Sequence, residues 1–235
     1  MNRLLFLTCA LNALWASVAF AQRPQPPIDP VFNPDNGHYY QLVIDLPPDR
    51  PRLPRPFLFE DALNRSASTT HLGIPGHLVT ITSLAEQAFL EREFAGFYVR
   101  DFLWIAASDA AVEGEWRWVA GPEAGQLFWL GDETGTALGF HSWPSIGSGR
   151  FSEPNNFRSR FNDYQHENYA AMFLYRPEQW WSEAGKNNLW YDLAANDDHP
   201  WGYVIEFSPI PEPAASVLTA LACLTGVGWA RRRHN

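Results

Sequence analysis

Apolar and polar residues alternate from residue 40, where Tyr40, Leu42 and Ile44 face one way. The pattern recurs near the far end in Gly202-Tyr-Val-Ile-Glu-Phe-Ser208, which puts Tyr203, Ile205 and Phe207 on one face. Period two predicts a strand at each place, and the two are expected to pair as neighbours. Between residues 57 and 67 the spacing Phe59, Ala62, Leu63, Ala67 follows a helical stripe. A second helix opens at Ser83-Leu-Ala-Glu86, a capping box in which the Ser83 hydroxyl accepts from the backbone N–H three residues on and Glu86 reaches back. Ala85, Phe89 and Leu90 continue it inward. After Trp104 the signals become short strands and loops: Phe102-Leu-Trp-Ile-Ala106, Glu115-Trp-Arg-Trp-Val119 and Tyr169-Ala-Ala-Met-Phe-Leu-Tyr175. A strand, two helices and then loop-rich strands is an α+β order.

The two ends read differently. Arg3, an apolar run from Leu4 to about Val18 and Ala19-Phe20-Ala21 before Gln22 have the charged start, apolar centre and small-residue cleavage site of a secretory signal peptide over residues 1–21. Residues 22–37 form a proline-rich, extended leader, and a second proline-rich piece at 47–56 reads as a surface loop. In residues 209–235, Pro211-Glu212-Pro213 precedes an apolar run from Ala214 to Ala230 and a tail of Arg231, Arg232 and Arg233. This three-part end resembles the PEP-CTERM sorting signal of Gram-negative bacteria. The resemblance implies an exosortase as processing partner, membrane contact only through the terminal helix, and a body released or attached at the cell surface.

Composition narrows the classes. The chain has 235 residues, 46% of them apolar and 15% aromatic, which excludes a disordered polymer. Basic residues number 17 against 26 acidic, a net charge of −9, and four of the basic residues lie in the two terminal segments. An acidic body is unsuited to nucleic acid or anionic membranes but suits divalent cations. Both cysteines, Cys9 and Cys223, fall in the terminal segments, so the body has no thiol. The seven histidines show no paired zinc spacing and read as surface or loop residues. No nucleophile elbow, phosphate loop or dinucleotide fingerprint is present, so no catalytic residue is assigned and the chain is read as a non-enzyme. Asn196-Asp197-Asp198 reads as a solvated turn.

Within residues 38–208, His77-Leu-Val-Thr-Ile-Thr-Ser83, Trp104-Ile-Ala-Ala-Ser-Asp109 with Gly114-Glu-Trp-Arg-Trp118, Glu153-Pro-Asn155, Glu167, Leu189-Trp-Tyr-Asp192 and Tyr203-Val-Ile-Glu206 together resemble a C-type lectin domain. The resemblance implies a double-loop fold with paired terminal strands and a long ligand-binding loop. It makes Glu153, Asn155, Glu167 and Asp192 both the calcium ligands and the carbohydrate ligands. The residue chemistry agrees, because calcium takes about six to eight oxygens and these side chains are all oxygen donors. Pro154 allows a cis Glu153–Pro154 bond. The order Glu then Asn goes with mannose-type sugars, carboxylate accepting and amide donating.

The chain also departs from that pattern. Tyr191 stands where the family carries Asn, and a neutral phenol is a poor calcium ligand that fills space near the ion. The family's cysteine positions correspond to Tyr169, Ala194 and Ile205, so packing by Trp104, Trp116, Trp118 and Trp190 has to replace the disulfides. Trp180 and Trp181 offer a ring to solvent near the site, and Asn156 with Glu167 an auxiliary cation position. Two functions follow: a secreted, calcium-dependent carbohydrate or exopolysaccharide binder, and a protein-interaction or matrix module that has lost ion and sugar.

Overall fold

The computed structural model describes residues 29–44, 56–95, 101–144, 152–158, 166–174, 189–197 and 199–209. The expected signal peptide, residues 22–28 of the first proline-rich stretch and 47–55 of the second, Trp180, Trp181 and the sorting motif Pro211, Glu212 and Pro213 lie outside the described residues. In chain order the elements are β1 (Val31–Asn33), β2 (His38–Ile44), α1 (Phe59–Ala67), β3 (Thr70–His71), β4 (Ile74–Leu78), α2 (Leu84–Phe94) and β5 (Asp101–Ser108). There follow β6 (Glu115–Trp118), β7 (Leu127–Leu130), β8 (Thr136–Ala137), β9 (Tyr169–Leu174), β10 (Trp190–Leu193) and β11 (Pro200–Phe207).

The terminal strands pair as expected: β11 runs antiparallel to β2, with Tyr203 opposite Val43 and Phe207 opposite Tyr39. On its other side β11 meets β5 in parallel and β4 antiparallel. Burial on both faces follows, and Val204 and Glu206 are as buried as the inward set Tyr203, Ile205 and Phe207. β5 then carries β9, and β9 carries β10, so the strand bearing Asp192 is built outward from the central sheet. Residues 31–33, read as part of an extended leader, instead form β1 against β2. The connecting turn ends at Gly37, whose φ of 78° suits a residue without a Cβ.

Both helices form where the pattern placed them, with two corrections to their inward faces. Ala67 and Ala85 are exposed, while Ser66, Glu86 and Gln87 are buried. Ser66 is satisfied internally, its hydroxyl donating to the Ala62 carbonyl (2.7 Å). Ser83 caps α2 by accepting from the Glu86 N–H (3.2 Å). The Glu86 carboxylate reaches past it to the Thr82 N–H (2.9 Å).

Aromatic packing stands where disulfides were missing. Trp104, Trp116, Trp118 and Trp190 are fully buried. Trp190 meets Trp118, Phe128 and Trp143 edge-on, at ring separations of 5.8, 5.9 and 5.7 Å. Its indole N–H donates to the buried Gln87 amide (3.0 Å), fastening β10 to α2. Ala194 and Ile205 are buried, and Tyr169 packs on Phe59 at 4.4 Å. The positions that resemble cysteines are therefore filled by ordinary apolar contacts.

Candidate functional site

Alternation along β10 buries Trp190 and Asp192 and half-exposes Tyr191 and Leu193. With Trp190 locked into the aromatic core, Asp192 is held two residues on, 3% exposed. It organises the loop opposite: its Oδ1 accepts from the Asn155 N–H (3.1 Å) and its Oδ2 from the Asn156 N–H (2.7 Å). The Glu153–Pro154 peptide is cis. The Asn155 amide nitrogen donates to Glu153 Oε2 (2.7 Å) and to the Ser152 carbonyl (3.1 Å). Glu167 Oε2 accepts from the Phe157 N–H (2.8 Å).

These contacts bring Glu153, Asn155, Glu167 and Asp192 to one pocket, which Phe157, Tyr191 and Leu193 also line. Asn156 ties its outer side. Its backbone is in the left-handed region at φ 46°, which asparagine tolerates better than most residues. Its side-chain oxygen accepts from the Glu167 N–H (3.0 Å) and its nitrogen donates to Glu113 (2.7 Å). Asn156 and Glu167 are thus bonded to each other.

The electrostatics are one-sided. Burial pushes the Glu153 carboxyl up to about 11, assisted by its hydrogen bond and charge interaction with Asp192 and by the charge of Glu167. Burial raises Asp192 too, against the Glu153 hydrogen bond and the Asn156 and Asn155 amides, which favour its ionised form, so the two carboxyls titrate as a pair. Nearby Asp109 is raised to about 6 by burial, with the charges of Glu113 and Asp192 adding. None of the described residues that line the pocket is Lys or Arg.

Orphaned oxygens test whether a cation fits. Asn155 Oδ1 is buried without a hydrogen-bond partner, as are Asp109 Oδ1 and Asn168 Oδ1. A buried unsatisfied acceptor costs about 1–3 kcal/mol, which a hard, oxygen-seeking cation would relieve. Among the described lining residues, three carboxylates and an amide oxygen with no donor form a set that fits calcium.

Tyr191 lines this pocket, and its ring packs edge-on against Phe102 (5.4 Å) and more loosely against Phe173 (6.1 Å). Burial raises its phenol, with the Glu153 charge adding. At the other candidate turn, Asp197 accepts from the backbone and ring nitrogens of His199 (2.8 and 2.6 Å). Asp198 lies outside the described residues.

Sequence reasoning missed a second polar centre. His38 and His77, expected at the surface, are half-buried because Glu206, one residue from the end of β11, is itself buried and needs donors. His38 Nδ1 is 2.6 Å from Glu206 Oε1, and Ser208 donates to the same oxygen (2.9 Å). The Thr80 N–H donates to Glu206 Oε2 (3.1 Å), and His77 Nε2 lies 3.0 Å from Ser208 Oγ. Glu86 joins from α2, accepting from the Tyr40 hydroxyl (2.6 Å). Burial and the Glu206 charge raise Glu86 to about 7. Burial opposes ionisation of Glu206, but the hydrogen bond from His38 and the His77 charge outweigh it and lower the carboxyl. The same hydrogen bond raises His38 against its own burial. Donor atoms of His38, Glu86 and Glu206 lie within 4.8 Å of one another. The one signal in sequence was a Glu inside the apolar run Tyr203-Val-Ile-Glu-Phe207.

The paired terminal strands, two helices and loop site define an α+β, C-type lectin-like fold. No family model matches the chain. It is 35% identical over 164 residues to halomucin of Haloquadratum walsbyi, an alignment that covers 69% of this chain. The chain spans 2% of that relative's length. Among solved structures, the C-type lectin CEL-I from Cucumaria echinata aligns at TM-score 0.47 and 22% identity, covering 78% of this chain and 97% of that one. The cow C-type carbohydrate-recognition domain of CD23, solved in the presence of a GlcNAc2Man3 oligosaccharide, aligns at 0.44 and 18%, covering 79% and 98%. Human lithostathine aligns at 0.46 and 18%, covering 80% and 93%.

Proposed function

We propose that this protein is a calcium-dependent carbohydrate-binding protein for mannose-type sugars, acting outside the cell or at its surface. The observation that carries the reading is the buried, unpartnered Oδ1 of Asn155, a residue whose amide nitrogen and backbone N–H are bonded to Glu153 and Asp192. Glu153, Asn155, Glu167 and Asp192 would hold the ion. Bound calcium supplies open coordination positions for two neighbouring sugar hydroxyls. Glu153 and Asn155 give those hydroxyls direction, since a carboxylate accepts and an amide nitrogen donates. The mannose-type preference rests on that order. Likeness to halomucin is in keeping with an extracellular or surface place. In the same reading residues 1–21 are removed as a signal peptide, and Pro211-Glu212-Pro213 is the motif an exosortase acts on.

One observation favours a second reading, a protein-interaction module: Tyr191 occupies a lining position where an amide would have added an oxygen. Calorimetry separates them. The first reading expects calcium to bind with a Kd on the order of 10⁻⁴–10⁻³ M, as in extracellular modules, and mannose to bind only in its presence. A folded protein that takes up neither calcium nor mannose sinks it.

A further inference from the structure

The pocket has two unlike walls. Glu153, Asn155, Glu167 and Asp192 present oxygens, while Phe157, Tyr191 and Leu193 present rings and an aliphatic chain. Phe157 is 47% exposed, and its backbone N–H donates to Glu167 at 2.8 Å, which places the residue beside a candidate ligand of the ion. Tyr191 and Leu193 stand on β10, whose register is fixed by pairing with Ala171 and Tyr169 of β9. An apolar wall carried by a paired strand keeps its spacing from the carboxylates better than one on a loop.

On the footing of the calcium and sugar reading above, we propose that this apolar wall makes the site selective for 6-deoxyhexoses of the manno configuration. A mannose-type ring held by its 3- and 4-hydroxyls is flanked by two substituents. C2 carries a hydroxyl, which needs a polar partner or water. C5 carries C6, which is a hydroxymethyl group in mannose and a methyl group in its 6-deoxy form. Against Phe157 and Leu193 the hydroxymethyl oxygen loses water and gains no acceptor, whereas the methyl group buries apolar surface on a ring. The two sugars share the diol, so calcium and the carboxylates treat them alike and the wall alone tells them apart.

The test is calorimetry in calcium, comparing methyl α-D-mannoside with methyl 6-deoxy-α-D-mannoside. Saturation-transfer NMR serves as a second readout of which sugar protons touch aromatic protons. The deoxy sugar is expected to bind about threefold to tenfold tighter, with the strongest transfer at its C6 methyl. Phe157→Ser should bring the two affinities together, and Phe157→Leu should keep the preference. Equal binding of both sugars by the native protein, or tighter binding of mannose, overturns the selectivity and leaves the parent reading standing. Binding of neither sugar to the calcium-loaded protein overturns both.

Discussion

Glu86 and Glu206 lie buried among His38, His77, Tyr40, Thr80 and Ser208, whereas Glu153, Glu167 and Asp192 lie buried among one another and backbone amides. Both groups remove carboxylates from water, which is costly unless charge and hydrogen bonds are supplied. The first centre supplies them from its own side chains: a proton shared between His38 and Glu206, hydroxyls from Tyr40 and Ser208, and a backbone N–H from Thr80. Among the described residues the second supplies amide donors and no positive charge, and it leaves Asn155 Oδ1 unpaired. Burial of acid is thus a structural device where the chain completes the balance, and a candidate binding site where it leaves the balance open. The way to break this comparison is to remove one carboxylate from each centre and ask whether stability or ligand binding responds.

The largest effect is expected at the self-balanced centre. Glu206→Leu leaves the Thr80 N–H without its acceptor and strands His38 and Ser208, and breaking a buried pair of this kind costs about 3–5 kcal/mol. Urea denaturation at pH 6 measures it. Calcium affinity should stay within about twofold of native, since two-site coupling is small for groups that share no partner. A large change in calcium affinity would merge the two centres into one.

At the open centre the same kind of substitution should act the other way round. Glu153→Gln is close to isosteric and removes the carboxyl whose ionisation burial and Asp192 oppose. Without calcium the folded state should be no less stable than native, while calcium affinity falls about a hundredfold with the loss of a charged ligand. Calorimetry for calcium and a melt in chelator give the pair of readings. A variant that keeps its calcium affinity would remove Glu153 from the ion's shell.

Raising the pH sharpens the contrast further. Glu86 has a folded value near 7, above its ordinary 4.5, so its contribution is full below about 4.5 and is lost as pH climbs to 7. His38 is raised as well, and its contribution falls as pH rises through its folded value. Glu206 is lowered, so its contribution is lost only on acidification through its folded value. Stability from this network should therefore decline between about pH 4.5 and 7, and Glu86→Gln should flatten that decline. Glu153 acts in the same direction over a longer range, its contribution draining away from 4.5 up to about 11, and saturating calcium should cancel that part alone. Melts at several pH values, with calcium and with chelator, resolve the two. A decline that calcium abolishes entirely would assign it all to the ion site.

How much of this was legible in sequence depends on how far apart the cooperating residues lie. Tyr40, Leu42 and Ile44 announce a strand by local alternation, and Ser83 with Glu86 announces a helix start within one turn. Glu153-Pro-Asn155 sits together in the chain, so the candidate site can be located from a short segment plus Glu167 and Asp192. His38 and Glu206 are 168 positions apart, and only the pairing of β2 with β11 makes them neighbours. Nothing local separates that histidine from a surface one. Ala67 and Ala85 misled for a simpler reason: alanine has so small a side chain that it is tolerated on either face. Ser66, Glu86 and Gln87 took the inward places because their polar groups find buried partners there. β1 was hidden because its residues sit among prolines and have too short a run to show a period.

The smallest expected effect bears on Tyr191, where the open centre departs from the C-type lectin pattern that the sequence resembles. Tyr191→Asn would put an amide oxygen at the pocket wall in place of a phenol, adding a donor of the kind calcium prefers. Its ring now contributes edge contacts to Phe102 and Phe173, each worth about 0.5–1.5 kcal/mol beyond area, so the variant should be modestly less stable in chelator. In calcium the expected gain in affinity, about threefold to tenfold, offsets part of that loss. Tyr191→Phe keeps the ring, removes only the hydroxyl and should leave calcium affinity unchanged. Parallel calorimetry and melts of the two variants then decide what the tyrosine does. A gain with Asn and none with Phe means that the ring excludes a ligand that the open centre would otherwise use. No gain with either means that Glu153, Asn155, Glu167 and Asp192 already complete the shell, and that Tyr191 belongs to the apolar wall facing the sugar.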